Sequence, residues 1–171
     1  PLNAIIGTTN IILNEDYLPS QKQSFEVLKY SSEHMMQLVN DILDFSKIEA
    51  GKMVLENAPF NMKAFLQKVM APFAAPIAAK QLTLLIDVDE NANLEVYGDE
   101  MRLIQVMNNL VANAIKFTEE GTITIEVKSI ANKSAQADIF IAVKDTGIGI
   151  AQNKMRQIFE SFTQADIETT R

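Results

Sequence analysis

One stretch of this sequence, Asp99 to Thr118, sets out side chains suited to holding an anion and a hard cation together. At 100° per residue, Arg102, Gln105, Asn109, Asn113 and Lys116 fall within an arc of about 80° of a helix. Leu103, Met107, Leu110, Val111 and Ala114 take the opposite, apolar side. A solvated helix face ordinarily mixes Glu with Lys in salt-bridging pairs. This face instead carries Asn109 and Asn113 one turn apart, flanked by cations and with no carboxylate. Amides are mediocre helix formers, so the helix itself gains nothing from them. An unusually polar surface is the plain alternative. Against it, neutral amide oxygens suit Mg²⁺, which keeps several waters and takes its remaining ligands from protein and phosphates. A lysine on the same face would meet those phosphates as a point charge.

A second group is Asp145-Thr146-Gly147-Ile148-Gly149-Ile150, directly after the apolar run Ile139 to Val143. Gly147 and Gly149 permit positive φ and close approach of a flat ligand to the backbone. A carboxylate at Asp145 would accept the exocyclic amine of adenine. Two glycines in a turn also fit an ordinary strand end, and only beside the amide face do they point to a nucleotide.

These residues need elements to position them. Asp99 is the expected cap of the amide-bearing helix, which runs to Thr118. Leu82 to Val88, Thr122 to Ile130 and Ile139 to Lys144 read as strands, and Phe65 to Ala79 as helix interrupted by Pro72 and Pro76. Met53 to Met62 looks extended, and a short helix is expected around Lys154 to Phe159. Interleaved strands and helices predict a sheet covered by helices on one face. Residues 1–50 differ in texture. Leu2, Ile5, Ile6, Ile12 and Leu13 recur at helical spacing, with Thr9 on the same face. After the break at Asp16 to Pro19, with Ser20 as expected cap, a longer helix carries Leu28, Met35 and Ile42 at heptad spacing. A hairpin of about fifty residues is too small to bury both apolar stripes. Two hairpins packed as a four-helix bundle would bury them, so a homodimer is expected. Packing of the stripe on the adjoining domain is the alternative.

Composition narrows the function classes. The 171 residues hold 15 Lys+Arg against 22 Asp+Glu, a formal charge of −7, with no basic stripe for a nucleic-acid backbone. The absence of cysteine excludes disulfides and thiolate metal sites, and fits a reducing, cytoplasmic setting. The most apolar run, Val69 to Ala79, is too short to span a bilayer and contains two prolines, so no membrane contact is expected of these residues.

The segment Gln105-Val106-Met107-Asn108-Asn109-Leu110-Val111-Ala112-Asn113-Ala114-Ile115-Lys116-Phe117-Thr118 resembles the N box of the sensor histidine kinases of two-component systems. Asp145 to Ile150 resembles their first glycine box, and Ile158 to Asp166 their F box. Asp44 to Lys52 resembles the end of their second dimerisation helix. Pro1 to Gly7 resembles the proline end of their histidine motif together with the residues just after it. The order and spacing match along nearly the whole chain. The resemblance implies an α+β protein: a dimerisation hairpin over residues 1–52, then an α/β sandwich ATP-binding domain of the histidine kinase and gyrase type over 53–171. It implies that Asn113 binds Mg²⁺ with Asn109 in support, and that Lys116 holds phosphates. Phe117 would lie near ribose or adenine, and Asp145 would select adenine beside Gly147, Ile148 and Gly149. Phe159 and Phe162 would anchor a lid in which Arg171 reaches phosphate. ATP and Mg²⁺ are the implied cofactors, and a response regulator receiver domain the implied partner. The lid start also resembles that of hybrid kinases.

The acceptor histidine is expected upstream of Pro1 and the second glycine box beyond Arg171, the parent protein continuing through both. His34, the sole histidine, lacks the Arg-Thr-Pro that would come after an acceptor, and we expect it to be structural. Gyrase-type ATPases of the same fold use a Glu as general base where this chain has Asn109, and an Asp where it has Lys116. An amide takes no proton from water, so transfer to a side-chain nucleophile is expected over hydrolysis. The alternative is a non-catalytic or phosphatase-dominant dimeric scaffold.

Overall fold

A computed structural model describes residues 1–15, 17–89, 95–131 and 137–155. The chain divides into two compact units, Pro1–Val54 and Leu55–Arg171.

The first unit is a helical hairpin, α1 (Leu2–Asn14) and α2 (Lys22–Glu49), joined through a 3-10 turn at Pro19–Gln21. Ser20 caps neither helix. Gln21 stands at the N-cap position of α2 without a capping side-chain bond. Its side-chain oxygen accepts the Leu18 N–H at 3.3 Å, at the head of the 3-10 turn that Pro19 starts with a φ that suits it. At the far end α2 stops at Gly51, in the left-handed region at φ 63°. There the Gly51 and Lys52 N–H groups return to the carbonyls of Ile48 and Lys47. Thr9 and Ser32 are the buried residues of the two helices. The Thr9 hydroxyl donates to the Ile5 carbonyl one turn back, at 2.7 Å. The large apolar side chains of α2 lie elsewhere: Leu28, Met35, Leu38, Val39 and Ile42 remain 41–55% exposed in the single chain.

In the second unit β1 (Ala58–Asn61) leads into α3 (Met62–Met70), a 3-10 turn at Ala71–Phe73 and α4 (Ala74–Ala79). Next come β2 (Thr83–Val88), β3 (Glu95–Gly98), α5 (Glu100–Phe117), β4 (Thr122–Ala131) and β5 (Ala137–Asp145). β1 and β3 pair antiparallel, Pro59 opposite Tyr97, and β3 is a strand the hydrophobic pattern did not predict. Of the extended segment expected from Met53, only Ala58–Asn61 is strand. Among the described residues the main sheet has the order β2-β4-β5, with β2 parallel to β4 and β5 antiparallel to it. Period-2 alternation along β4 divides the faces. Ile123, Ile125 and Val127 are fully buried with Phe65, Val69, Met107 and Val111 of the helices. Glu126 on the other face bridges Lys128 at 2.6 Å and Lys144 at 2.9 Å. The expected sheet with helices on one face is therefore what forms. Residues 152–155 form a turn where a helix was expected to begin, and the rest of that expected helix lies outside the described residues.

Candidate functional site

The site is built on α5, which both ends hold firmly. Asp99 caps its start as expected: Oδ1 accepts the Arg102 N–H at 3.0 Å, while Oδ2 accepts the Glu56 N–H at 3.1 Å. Those two bonds, Arg102's first, hold the Asp99 carboxyl below its ordinary range. Glu100 in the first turn pairs with Lys68 of α3 at 2.7 Å. The apolar side locks into the core through Met107, Val111, Ala114 and Ile115.

That locking leaves the amide face outward. Asn109, Asn113 and Lys116 are all exposed, and no described residue engages either amide. Asn108 behaves differently from its neighbour, with its side-chain oxygen buried. Arg102 donates to the Gln105 side-chain oxygen at 2.8 Å, so the first two members of the polar stripe hold each other. Asn113 stands about 6 Å along the helix axis from Asn109, and Lys116 about 4.5 Å farther. The Lys116 ammonium lies 5.0 Å from the centroid of the half-buried Phe117 ring. Two neutral amides do not make a metal cage, and the described residues contain no cluster of three His, Cys, Asp or Glu side chains. The donor set suits a cation that keeps water and takes other ligands from phosphate, which fits Mg²⁺.

The glycine turn docks on the end of the same helix. Asp145 closes β5, opposite Ile123, and the Ile148 N–H donates to the Phe117 carbonyl at 3.3 Å. Asp145 is exposed, with Oδ1 accepting the Gly147 N–H at 2.9 Å. Thr146 ties the turn to β4, its hydroxyl accepting the Thr122 N–H at 3.0 Å. The two glycines serve different needs. Gly149 sits at φ 67°, whereas Gly147 has no such backbone but lies so close to Phe117 that a Cβ would collide with its carbonyl. Asp145, Gly147 and Ile148 are thus brought against the turn of α5 that carries Lys116 and Phe117. Phe159, Phe162 and Arg171 lie outside the described residues. His34 is exposed on α2 and stacks on Tyr30, ring centroids 6.1 Å apart and planes at 2°.

Sequence reasoning missed Lys80, which enters from the bend between α4 and β2. Its ammonium donates to the carbonyls of Ile115 at 2.8 Å, Thr118 at 3.1 Å and Lys116 at 3.4 Å. A lysine thirty-five residues before its acceptors carries no periodic signal.

Known proteins fit this geometry. Residues 98–171 match the family model of the histidine kinase-, DNA gyrase B- and HSP90-like ATPases, and residues 1–51 that of the His Kinase A (phospho-acceptor) domain. The sensor protein GacS of Pseudomonas syringae pv. syringae is 41% identical over 171 residues, all of this chain and 19% of GacS. BarA, a signal transduction histidine-protein kinase of Escherichia coli K12, is 38% identical over the same span and share. The chain thus spans about a fifth of the length of these curated relatives. Full-length ShkA, solved in complex with AMPPNP, superposes with a TM-score of 0.75 at 29% identity, covering 97% of this chain and 35% of that one. ThkA, solved in complex with the response regulator protein TrrA, gives 0.64 at 26% identity over 95% of this chain and 47% of that one. No helix among the described residues is long and apolar enough to cross a membrane. With its phospho-acceptor hairpin followed by an ATPase-type domain, the chain belongs to the sensor histidine kinases.

Proposed function

We propose that residues 53–171 bind Mg·ATP on the outward face of α5, and that residues 1–52 pair two chains and present a histidine upstream of Pro1 to the γ-phosphoryl. One observation carries this reading: the amide and lysine face of α5 ends where the Asp145 turn is bonded to Phe117. The phosphate-binding and base-binding groups of this reading belong to one corner of the second unit. In this reading Asp145 accepts the adenine amine with the oxygen that Gly147 leaves open. Phe117 packs beside the sugar or base, and Lys116 neutralises phosphate. Asn113, supported by Asn109, would hold Mg²⁺, which supplies charge neutralisation at the phosphates. A neutral imidazole nitrogen then takes the γ-phosphoryl, the bond to the β-phosphate oxygen breaks and ADP leaves. The phosphoryl group passes on to an aspartate of a receiver domain, carried by a cytoplasmic response regulator or, in a hybrid kinase, by the parent chain itself.

Calorimetry on the chain extended through the expected second glycine box, so that the lid is complete, tests the pocket. Mg·ATP should bind, and Mg·GTP about a hundredfold or more weaker, because a base offering an acceptor leaves the Asp145 oxygen unpaired. Removing Mg²⁺ with a chelator, or Asn113→Ala, should lower ATP affinity. Equal affinities for ATP and GTP would refute the role given to Asp145.

A further inference from the structure

An α-helix leaves its last carbonyls without intrahelical partners. In α5 those groups meet an unusual set of donors. Thr118 leaves the helix with an extended backbone, φ −106° and ψ 116°, and its N–H satisfies Ala114. The carbonyls of Ile115, Lys116 and Thr118 all accept from the single ammonium of Lys80. The remaining carbonyl of this run, Phe117, accepts from Ile148 of the glycine turn. One cation and one turn thus close the helix between them.

We propose that Lys80 is a positioning residue for the nucleotide site, an inference that rests on the nucleotide reading of α5 and the Asp145 turn. By drawing three carbonyls to one point, Lys80 fixes the direction of the fourth, and with it the seat of the Asp145–Gly149 turn. Gly147 lies too close to Phe117 for the helix end to shift without moving the turn. A cation at a helix C-terminus also complements the macrodipole. That effect alone would stabilise α5 without touching nucleotide affinity, and the two roles separate by experiment. Lys80 is suited to the task because an ammonium has three donors that swing freely, whereas the guanidinium fork of arginine is planar. Its place in the bend, beside Gln81 at φ 55°, anchors the stem in a segment packed on the core through Ile77 and Leu82.

The test uses the chain extended through the expected second glycine box, with Lys80→Met and Lys80→Arg, read by amide hydrogen exchange and by calorimetry with Mg·ADP. Lys80→Met should speed exchange of the Ile148 amide about tenfold or more while Ile125 and Val127 of β4 keep their protection. It should weaken Mg·ADP about tenfold, and Lys80→Arg should fall between Lys80→Met and the unmodified chain in both measures. Faster Ile148 exchange with unchanged affinity would make Lys80 a helix cap only and overturn the proposal, as would no change in either. If Lys80→Met also loosens β4, the arginine variant decides, the proposal standing only where affinity falls with β4 intact. Should the unmodified chain bind no Mg·ADP, the nucleotide reading falls, and Ile148 exchange alone decides whether Lys80 seats the turn.

Discussion

At the scale of single residues, Gly147 is the position where the site has least room. A Cβ there would run into the Phe117 carbonyl and come within 2.9 Å of both the carbonyl carbon and the Asp145 Oδ1. Two of those three atoms are backbone at the end of a helix whose other face is core, so neither can yield cheaply. Overpacking of this kind costs typically about 1–3 kcal/mol. Gly147→Ala should relieve the clash by lifting the turn from Phe117, carrying Asp145 with it. Nucleotide affinity should then fall about tenfold or more, with a smaller loss of thermal stability. An alanine variant that binds Mg·ATP as tightly as the unmodified chain would show that the turn tolerates displacement.

At the scale of elements, α5 is fixed at its start by Asp99 and the sheet is laced on its outer face by Glu126, and both carboxyls respond to acid. Hydrogen bonds from Arg102 and then Glu56 hold Asp99 below its ordinary value of 3.8. Lys128, then Lys144, hold Glu126 below 4.5. A carboxyl depressed in the folded state contributes stability above its unfolded pKa, and that contribution is lost as pH falls through the folded value. The thermal midpoint should therefore be insensitive to these groups between about pH 7 and about pH 5, and decline below about pH 4.5. Asp99→Asn keeps an acceptor for the Arg102 N–H. Combined with Glu126→Gln it should flatten the acid decline, and an unchanged decline in the double variant would place its cause elsewhere. The elements differ in how far their residues announce them. α5 was legible because a cap, a full apolar stripe and a polar face coincide over eighteen residues. β3 was not: Glu95–Gly98 is four residues long, too short for alternation to register, and Pro59 demotes its partner β1. Ser20 had the right chemistry for a cap, but Pro19 began a 3-10 turn there and left Gln21 at the N-cap position of α2, with no side-chain cap bond. The candidate residues on α5 and the glycine turn could be picked out of the sequence because each lies in a local pattern. Their joining through Ile148, and Lys80 beneath them, depend on contacts between distant segments that no periodicity encodes.

At the scale of the whole molecule, the hairpin is the part a single chain leaves unfinished. Its buried residues are the small polar Thr9 and Ser32, while Leu28, Met35 and Ile42 remain 45%, 53% and 55% exposed. At 100° per residue these three lie within about 40° of one another on α2. The face they form is continuous and recurs at heptad spacing, as in a helix packed along its length against another. About half of each side chain is already covered, so finishing its burial is worth about half of the ~1.5–3 kcal/mol of full burial. The three from each of two chains together supply about 4 kcal/mol or more toward pairing. Their replacement by lysines removes that term and sets like charges across a two-fold interface. The triple variant should therefore be monomeric by light scattering at concentrations where the unmodified chain is a dimer, its dissociation constant raised about a thousandfold or more. Mg·ATP affinity should be unchanged, since the site on α5 and the Asp145 turn lies within the second unit. A triple variant that remains dimeric would assign pairing to another surface. One that loses ATP binding would show that the pocket needs the dimer to form, because none of the three substituted residues belongs to it.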